Sequence, residues 1–470
     1  MKSTAASGQG VRNRGRPVFT RDRAAAITAA IRMNGPAGER LHAPVLFMIL
    51  VLIGSAVLFA RNPIAIAHAS MYAEDGVWTS LIYQTGGFAG YLNARPDYLM
   101  IGNMALLHTS ITINHLIFGQ NNITHLPAVI AVVSYVFFAA VAVLPAVALK
   151  SYLPLSLRLL LGALLLLLPV GLSAHEIFGR VVNTGFAFVF VATMIILWRE
   201  TFRSVPFRAE ILALDAVILV CCATNPIAIG IAGVYLAFRL AVVRGRSMND
   251  WLLAAGLLPI AIVNAIGIIT VPTSQGEGAL SIGGFLYTGV ARPLLYPLIF
   301  PWYDHLSHPV TVILGSLLIG LFLVGLRLTP HKTGLGLVLF AAALTTVATA
   351  LQRPGFAAHL SGYASSFPDR YYFAQNLLVL TAVVWTADAC LRSAAPRMKT
   401  AGRAIVAVLM LIYGLHPQYL FDWKMKPVNP TFEEQLRQGQ TLENDSEFMK
   451  VDIFPANWAA LYPARFRPEP

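Results

Sequence analysis

Residues 126–149 read LPAVIAVVSYVFFAAVAVLPAVAL, an apolar run without a charged side chain. A helix of about 20 apolar residues is long enough to cross the hydrocarbon core of a bilayer. Ten further largely apolar segments lie along the chain, of which 210–223 is short. The sequence therefore predicts an all-α polytopic membrane protein with about eleven transmembrane helices. The predicted spans are 43–60, 126–149, 155–173, 181–198, 210–223, 226–243, 251–271, 308–327, 334–351, 372–390 and 403–420.

The composition of the 470-residue chain supports this assignment. Hydrophobic residues make up 57% of the chain and charged residues only 12%, against about a quarter in soluble domains. These proportions exclude a soluble globular enzyme, a mostly disordered chain and a disulfide-rich secreted scaffold. The three cysteines, Cys221, Cys222 and Cys390, lie within or at the end of apolar runs and indicate no metal site.

Two further segments are less regular. Residues 283–303 are apolar but contain three prolines, which favours an interfacial or re-entrant helix and leaves a twelfth span as the alternative. A count of ten to twelve spans covers both interpretations. Residues 95–118 mix polar and apolar side chains and predict a helix that lies on the membrane surface.

The distribution of basic residues predicts the orientation. With the N-terminus inside, 22 of the 34 Lys and Arg residues fall in inner segments, which is the positive-inside pattern. The expected topology is N-in and C-out, and it explains the net charge of +12 without a nucleic-acid partner. The chain then divides into a basic, disordered cytoplasmic tail (1–42), a transmembrane region (43–420) and a short outer tail (421–470).

Acidic residues concentrate on the opposite side. Under this topology the outer loops 61–125, 272–307 and 352–371 are the long ones, whereas the inner links are short. Chemistry usually resides where polar side chains and irregular backbone gather. The outer face is therefore the predicted working face. The acidic residues of the outer segments before the tail are Glu74, Asp75, Asp97, Glu176, Glu277, Asp304 and Asp369.

The first outer loop carries the strongest local motif, Tyr72-Ala73-Glu74-Asp75-Gly76. Adjacent carboxylates repel each other, and burial would raise the pKa of at least one. Such a group suits a general base or a divalent-cation site, and a solvated helix cap is the alternative interpretation. Further along the loop, Arg95 could meet an anionic group, whereas Asp97 is better interpreted as part of a loop that enters a surface helix.

A short outer link carries the second motif, His175-Glu176-Ile177-Phe178-Gly179-Arg180-Val181-Val182-Asn183. Charged residues so close to hydrocarbon are costly unless they are paired or line a cavity. The spacing of four predicts a Glu176–Arg180 pair on one helical turn, which could simply close a hairpin. A metal site from His175 and Glu176 is disfavoured because adjacent residues point apart and no third ligand is evident.

Two more positions are candidates. Arg370-Tyr371 lies at the outer mouth of the tenth span, where an arginine opposes the positive-inside trend and suits phosphate recognition. Asp215 lies inside a predicted span. It could act as a proton relay or form a hydrogen bond that packs two helices together. The sequence contains no P-loop, GxSxG or HExxH motif, which argues against an ATP-driven pump and a classical hydrolase.

The ordered set of motifs resembles the GT-C class of polytopic glycosyltransferases, through the many spans, the long first outer loop and the acidic pair behind the first span. The resemblance covers about 45–460 and includes a group of bacterial membrane proteins with the same order of motifs. Those motifs are Ala73-Glu74-Asp75-Gly76, Gly90-Tyr91-Leu92, His175 to Gly179 with Asn183, Arg370 to Phe373, and Pro455-x-x-Trp458.

The resemblance implies a function and a set of partners. The chain would move a sugar from a polyprenyl-phosphate carrier to a glycan, lipid or protein acceptor at the outer face of the bacterial inner membrane. Glu74 or Asp75 would be the base, and Arg370 would meet the carrier phosphate. The class differs among its members in the use of Mg²⁺ or Mn²⁺, so a divalent cation remains open. The predicted substrate-binding residues are Arg95, Asp97, His175, Glu176, Arg180, Asn183, Arg370 and Tyr371.

Two other functions remain as alternatives. A transporter or flippase of a lipid-linked glycan would use the same outward cavity without chemistry, and Asp215 would fit it. An enzyme of the O-antigen polymerase or ligase type would carry arginine-rich outer loops. The outer loops between spans hold only six arginines, which disfavours the second alternative.

Overall fold

The computed structural model describes residues 36–87, 89–171, 174–202, 209–242, 247–271, 282–352, 369–421, 429–442 and 445–468. Contacts divide the chain into Met1–Ile49 and Leu50–Pro470, and the site and the packing described below lie in the second unit. The described part is mostly helical. The first helices are α1 (Pro36–Arg61), α2 (Ile64–Ala67), α3 (Ala73–Thr85), α4 (Ala89–Asn93), α5 (Ile101–Phe118), α6 (Leu126–Ala148), α7 (Leu155–Leu166) and α8 (Ala174–Ile177).

The middle and the end of the chain continue in the same way. The next helices are α9 (Thr184–Glu200), α10 (Ala209–Cys222), α11 (Pro226–Val242), α12 (Met248–Thr270), α13 (Ile282–Phe285), α14 (Tyr296–Ile299), α15 (His308–Leu328), α16 (Lys332–Gln352), α17 (Phe373–Arg392), α18 (Pro396–Leu415) and α19 (Phe432–Gln438). A 3-10 turn, Asp369–Tyr372, leads directly into α17.

Seven helices of the described part are long and apolar enough to cross a membrane, as a polytopic helical membrane protein requires. They include residues of α1, α6, α12, α15, α16, α17 and α18. Two shorter apolar helices, Leu155–Leu166 and Pro226–Ala241, coincide with predicted spans. Helices α9 and α10 occupy the two remaining predicted positions.

The proline-rich segment 283–303 does not form a regular helix. It runs through α13, a ten-residue π-helix (Leu286–Leu295), α14 and a 3-10 helix (Phe300–His305). A proline cannot donate a backbone hydrogen bond and clashes with the preceding turn, so the hydrogen-bond pattern changes along the segment. It is not among the seven long apolar helices.

The C-terminal tail adds a small antiparallel sheet, which an all-α expectation does not include. Strands β1 (Gln440–Leu442), β2 (Asp445–Ile453) and β3 (Trp458–Pro463) pair in the order β1-β2-β3. The sheet and α19 share one buried apolar core with the first-loop helices α3 and α5. That core includes Met71, Trp78, Met104, Leu107, Phe432, Met449, Val451, Ile453 and Tyr462.

A buried network of charges joins helices α9 to α12. Arg199 contacts the carboxylates of Asp215, at 2.5 Å, and Asp250, at 2.9 Å. Arg239 contacts the other oxygen of Asp250 at 3.2 Å. Asp215 therefore has an arginine partner between helices, which is the arrangement expected of a packing interaction.

Candidate functional site

Three segments that are far apart in the sequence meet at one place. They are the acidic motif at the start of α3, the link between α8 and α9, and the turn before α17. We call the cluster formed by Tyr72, Glu74, Asp75, Glu176, Arg180 and Arg370 the acid–arginine site. Four of its members, Glu74, Asp75, Glu176 and Arg370, belong to the motifs whose order carries the sequence resemblance.

Asp75 is the buried acid of the pair, with 1% of its surface exposed. The backbone N–H of Val181 donates to Oδ2 at 3.1 Å, and that of Val182 donates to Oδ1 at 2.7 Å. Burial raises the pKa of Asp75 to about 7, against the opposing effects of Arg180 and the two N–H donors. The carboxylate thus ties the first loop to the link before α9.

Glu74 occupies a different environment although it is the next residue. Its side chain is half-buried, and it makes no hydrogen bond or ion pair within the described part of the chain. Its charge acts on both Asp75 and Arg95. The two acids are therefore distinct: Asp75 has both oxygens occupied, whereas Glu74 remains available to an incoming hydroxyl.

Glu176 connects the first loop with the turn before α17. Its Oε1 accepts a hydrogen bond from the Tyr72 hydroxyl at 2.9 Å, and its Oε2 accepts one from Nη1 of Arg370 at 3.1 Å. Burial and the Glu176 charge raise the pKa of the Tyr72 phenol, so this hydroxyl stays protonated and acts as a donor. Both members of the Glu176–Arg370 pair are partly exposed, at 22% and 27% of their side chains.

The predicted Glu176–Arg180 pair is wrong. Helix α8 ends at Ile177, and Gly179 has a φ of +86°, so the chain turns away before Arg180. A Cβ atom at Gly179 would lie 2.6 Å from Cβ of Ala65, which also requires glycine there. The spacing of four therefore does not place the two charges on one helical turn.

Arg180 instead points into the protein towards the acidic motif. Its Nη1 donates to the carbonyl of Ser70 at 2.7 Å, and its Cζ lies 4.9 Å from the Tyr72 ring centroid. Burial lowers the pKa of Arg180, and the nearby Asp75 partly offsets this effect. Arg180 thus holds the acidic motif in place and supplies a buried positive charge beside Asp75.

Asn183 and His175 belong to the same link. The Asn183 amide donates to the carbonyl of Glu176 at 2.6 Å and so fixes the backbone between α8 and α9. The buried side chain of Asn183 therefore acts on the position of Glu176. The His175 backbone lies in α8, whereas its side chain lies outside the described residues.

Arg95 and Asp97 pair with each other. Nε and Nη2 of Arg95 donate to the two oxygens of Asp97 at 2.8 and 2.9 Å, which is a bidentate arrangement. The Asp97 backbone packs closely on α12, because a Cβ at Gly267 would clash with the Asp97 carbonyl oxygen. Arg95 is near enough to Glu74 for their charges to interact, so this pair borders the acid–arginine site.

Two aromatic side chains lie beside Arg370. Cζ of Arg370 is 5.2 Å from the Tyr371 ring centroid, and Tyr371 meets Phe186 edge to face at 5.3 Å. Both rings are half-buried. Tyr371, which is a predicted substrate-binding residue, thus lies between Phe186 and the guanidinium of Arg370.

The tail determines the shape of the acidic motif. Tyr72 forms an isolated parallel bridge with Phe454, and their rings lie 5.5 Å apart. Ala73 follows with a φ of +36°, a conformation that costs an L-residue about 1 kcal/mol, and the bridge holds it there. At Gly76 a Cβ would lie 2.5 Å from Cδ1 of Ile453, so this glycine permits the close contact with the tail.

The described donors do not suit a divalent cation. Both Asp75 oxygens accept backbone N–H groups, and the two Glu176 oxygens accept bonds from Tyr72 and Arg370. Within the described ranges, no group of three or more His, Cys, Asp and Glu side chains is arranged to hold a metal. Glu74 alone would offer one ligand, which is too few for Mg²⁺ or Mn²⁺.

Sequence reasoning missed the role of Tyr72. The residue stands directly before the acidic pair, and it contacts Glu176, Arg180 and Phe454. The position of Tyr72 at the start of the motif was the feature of the sequence that could have indicated this role. The two valine amides that bind Asp75 carry no side-chain signal and could not be found from the sequence.

Comparison with known proteins adds no family to this description. The chain matches no protein-family model and has no significant match among curated proteins. The assignment of a function therefore depends on the chemistry of the acid–arginine site itself.

Proposed function

We propose that the protein is a GT-C-like glycosyltransferase that moves a sugar from a polyprenyl-phosphate carrier to a cell-envelope acceptor. An acceptor hydroxyl oxygen forms a bond to the anomeric carbon while the bond from that carbon to the carrier phosphate oxygen breaks. The hydroxyl proton passes to a carboxylate, and the polyprenyl phosphate leaves with the electron pair. The reaction is assigned to the outer face of a bacterial inner membrane.

The observation that carries the proposal is an available carboxylate, Glu74, directly before Asp75, in a motif that contacts bring next to the partly exposed Arg370. A general base needs a carboxylate within reach of the acceptor hydroxyl. A departing phosphate needs a positive charge close to the oxygen on which charge develops. Glu74 can serve the first need and Arg370 the second, and Glu176, Tyr72 and Arg180 connect their two segments.

Glu74 is the better base of the acidic pair. A base must accept a proton from substrate, and Glu74 is only half-buried and makes no hydrogen bond in the described structure. Asp75 is buried and already accepts two backbone hydrogen bonds, so it acts as a positioning residue. This assignment separates two residues that the sequence left equivalent.

The position of Arg370 suits a lipid-linked substrate. The residue lies at the start of a candidate span, Arg370–Arg392, where a side chain reaches the membrane interface. A polyprenyl carrier whose phosphate lies at the membrane interface would present it to this side chain and approach within the membrane plane. A soluble nucleotide-sugar domain is then unnecessary.

The proposal is tested by profiling surface glycans and glycolipids with mass spectrometry in a deletion strain. The strain is complemented with the wild type, with Glu74→Gln, or with Glu433→Gln as a matched control. Glu433 is an exposed glutamate paired with Arg437 in α19. We expect one sugar to disappear on deletion, and wild type and control to restore it. We expect Glu74→Gln to lose about 100-fold or more of the transfer activity.

Two results would count against the proposal. An unchanged glycan profile after deletion would favour transport of a lipid-linked glycan or another function. Full restoration by Glu74→Gln at wild-type expression would remove Glu74 as the base. Purified protein with a radiolabelled polyprenyl-phosphate sugar then provides the direct assay of transfer.

A further inference from the structure

Arg370 is the cation of the acid–arginine site that combines partial exposure with unused hydrogen-bond donors. Arg180 is buried. Arg95, which borders the site, already donates two hydrogen bonds to Asp97. Arg370 gives Glu176 one hydrogen bond and also interacts with Tyr371. A guanidinium carries five N–H donors, so these two neighbours leave part of it available to a further anion.

Glu176 opposes the binding of that anion. Its carboxylate lies 3.1 Å from Nη1 of Arg370, so a phosphate bound to the same guanidinium would face a negative charge nearby. Tyr72 holds the carboxylate from its other oxygen and keeps it in this position. The Glu176–Arg370 pair is partly exposed and joined by one hydrogen bond, so little free energy is needed to separate the two side chains.

We propose that Glu176 tunes the affinity of Arg370 for a lipid-linked phosphate and promotes release of the polyprenyl phosphate product. This inference rests on the proposed function for the identity of the product. Glu176 is thus a positioning residue, which acts on the substrate through Arg370. The two members of one ion pair then have opposite effects on phosphate binding.

The test measures binding of undecaprenyl phosphate to the full-length protein in lipid nanodiscs. The variants are Arg370→Ala, Glu176→Gln and, as a matched control, Glu433→Gln, which also removes one carboxylate from an arginine–glutamate pair. Undecaprenol and inorganic phosphate are the comparison probes, because they separate the contribution of the lipid from that of a free phosphate. Thermal unfolding of each variant checks that the fold is retained.

The expected results differ in sign. We expect Arg370→Ala to weaken undecaprenyl phosphate binding about tenfold or more, and Glu176→Gln to strengthen it about three- to fivefold. The control should match the wild type, and undecaprenol binding should not change. In steady-state transfer, Glu176→Gln should lower kcat with stronger inhibition by added undecaprenyl phosphate, because product leaves more slowly.

The opposite pattern would overturn the inference. If Glu176→Gln weakens binding in the same direction as Arg370→Ala, the pair only supports the fold of the site. If the wild type binds undecaprenyl phosphate no better than undecaprenol, Arg370 does not bind the phosphate group. Glutamine can still accept the Tyr72 hydrogen bond, so loss of that contact does not explain either result. Failure of sugar transfer with the predicted binding pattern retained would instead reject the proposed function.

Discussion

Asp75 is a buried acid whose protonation links the stability of the protein to pH. Its pKa is raised from 3.8 to about 7 by burial, so between these values the folded chain holds a proton that the unfolded chain has released. Stability contributed by this proton is present at low pH and is lost as pH rises towards about 7. Above about pH 7, the contribution of Asp75 to stability no longer changes with pH.

We therefore predict a pH-dependent difference between the wild type and Asp75→Asn. The thermal unfolding midpoint of the wild type should fall relative to that of the variant as pH rises from about 5 to about 7. Asparagine does not titrate, and its amide N–H₂ would also face a backbone donor, so the variant should be less stable throughout. Midpoints measured in detergent at several pH values check this, and a difference that grows with pH would contradict it.

Gly76 tests the contact between the acidic motif and the tail. A methyl group at this position would meet Cδ1 of Ile453 at 2.5 Å and Cγ of Met71 at 2.8 Å. We expect Gly76→Ala to destabilise the protein by about 1–3 kcal/mol, as overpacking of a core does. Ile453→Val removes the closest atom and should restore part of the loss when combined with it.

The matched control for this prediction is Gly336→Ala in α16. No atom lies within 4 Å of a Cβ built there, and alanine is the better helix former. Its unfolding midpoint should equal or slightly exceed that of the wild type. Equal effects of the two alanine substitutions would show that the contact with Ile453 is not tight.

The sequence identified most residues of the site, but it did not predict which of them are in contact. Unusual charges near apolar segments identified Glu74, Asp75, Glu176 and Arg370. The partner of Glu176 was predicted wrongly because helical spacing was assumed across Gly179, where the backbone has positive φ. The contact with Arg370 joins residues 194 positions apart, and local spacing carries no information on it.

Among the helices, the buried charges of α9, α10 and α12 are expected to hold the bundle together. Arg199→Met would leave Asp215 and Asp250 without their shared arginine in a buried environment. Breaking a buried ion pair on one side costs about 3–5 kcal/mol. We predict a large fall in the unfolding midpoint for Arg199→Met and a smaller one when Asp215→Asn is added.

Arg437→Met serves as the exposed counterpart of this experiment. Arg437 and Glu433 pair on the surface of α19, with about half of each side chain exposed. Such a pair contributes about 0–1 kcal/mol, so its loss should barely change the unfolding midpoint. If Arg199→Met is as mild as this variant, the buried network is not a structural requirement.

Hydrophobic length is a local property, and it predicted the positions of the seven long apolar helices of the described part. The predicted span 126–149 corresponds to α6 at Leu126–Ala148, and 308–327 corresponds to α15 at His308–Leu328. The three prolines of 283–303 predicted an interruption but not its π-helical form. Hydrogen-bond register in such a segment depends on packing against α15, α16 and α17, which the sequence pattern does not encode.

Across the whole molecule, the tail and the first loop must lie on the same side of the membrane. The tail sheet and α3 share a buried core, with Tyr462 donating to the Gly76 carbonyl at 3.1 Å. The number of crossings between them must therefore be even. Six of the seven long candidate spans lie between them, and the four shorter helices at predicted spans bring the number to ten, which is also even.

This parity, combined with the charge distribution, predicts the side on which the tail lies. With 22 of 34 basic residues in the predicted inner segments, the N-terminus is expected inside, and the tail and the acid–arginine site outside. Alkaline phosphatase fused behind Pro470 of the full-length chain should be active, because it forms its disulfides only in an oxidising compartment. Green fluorescent protein should be dark at that end and fluorescent at the N-terminus. A fluorescent C-terminal fusion with inactive phosphatase would place the site on the cytoplasmic side, where the proposed polyprenyl-phosphate reaction would have to face the inner leaflet.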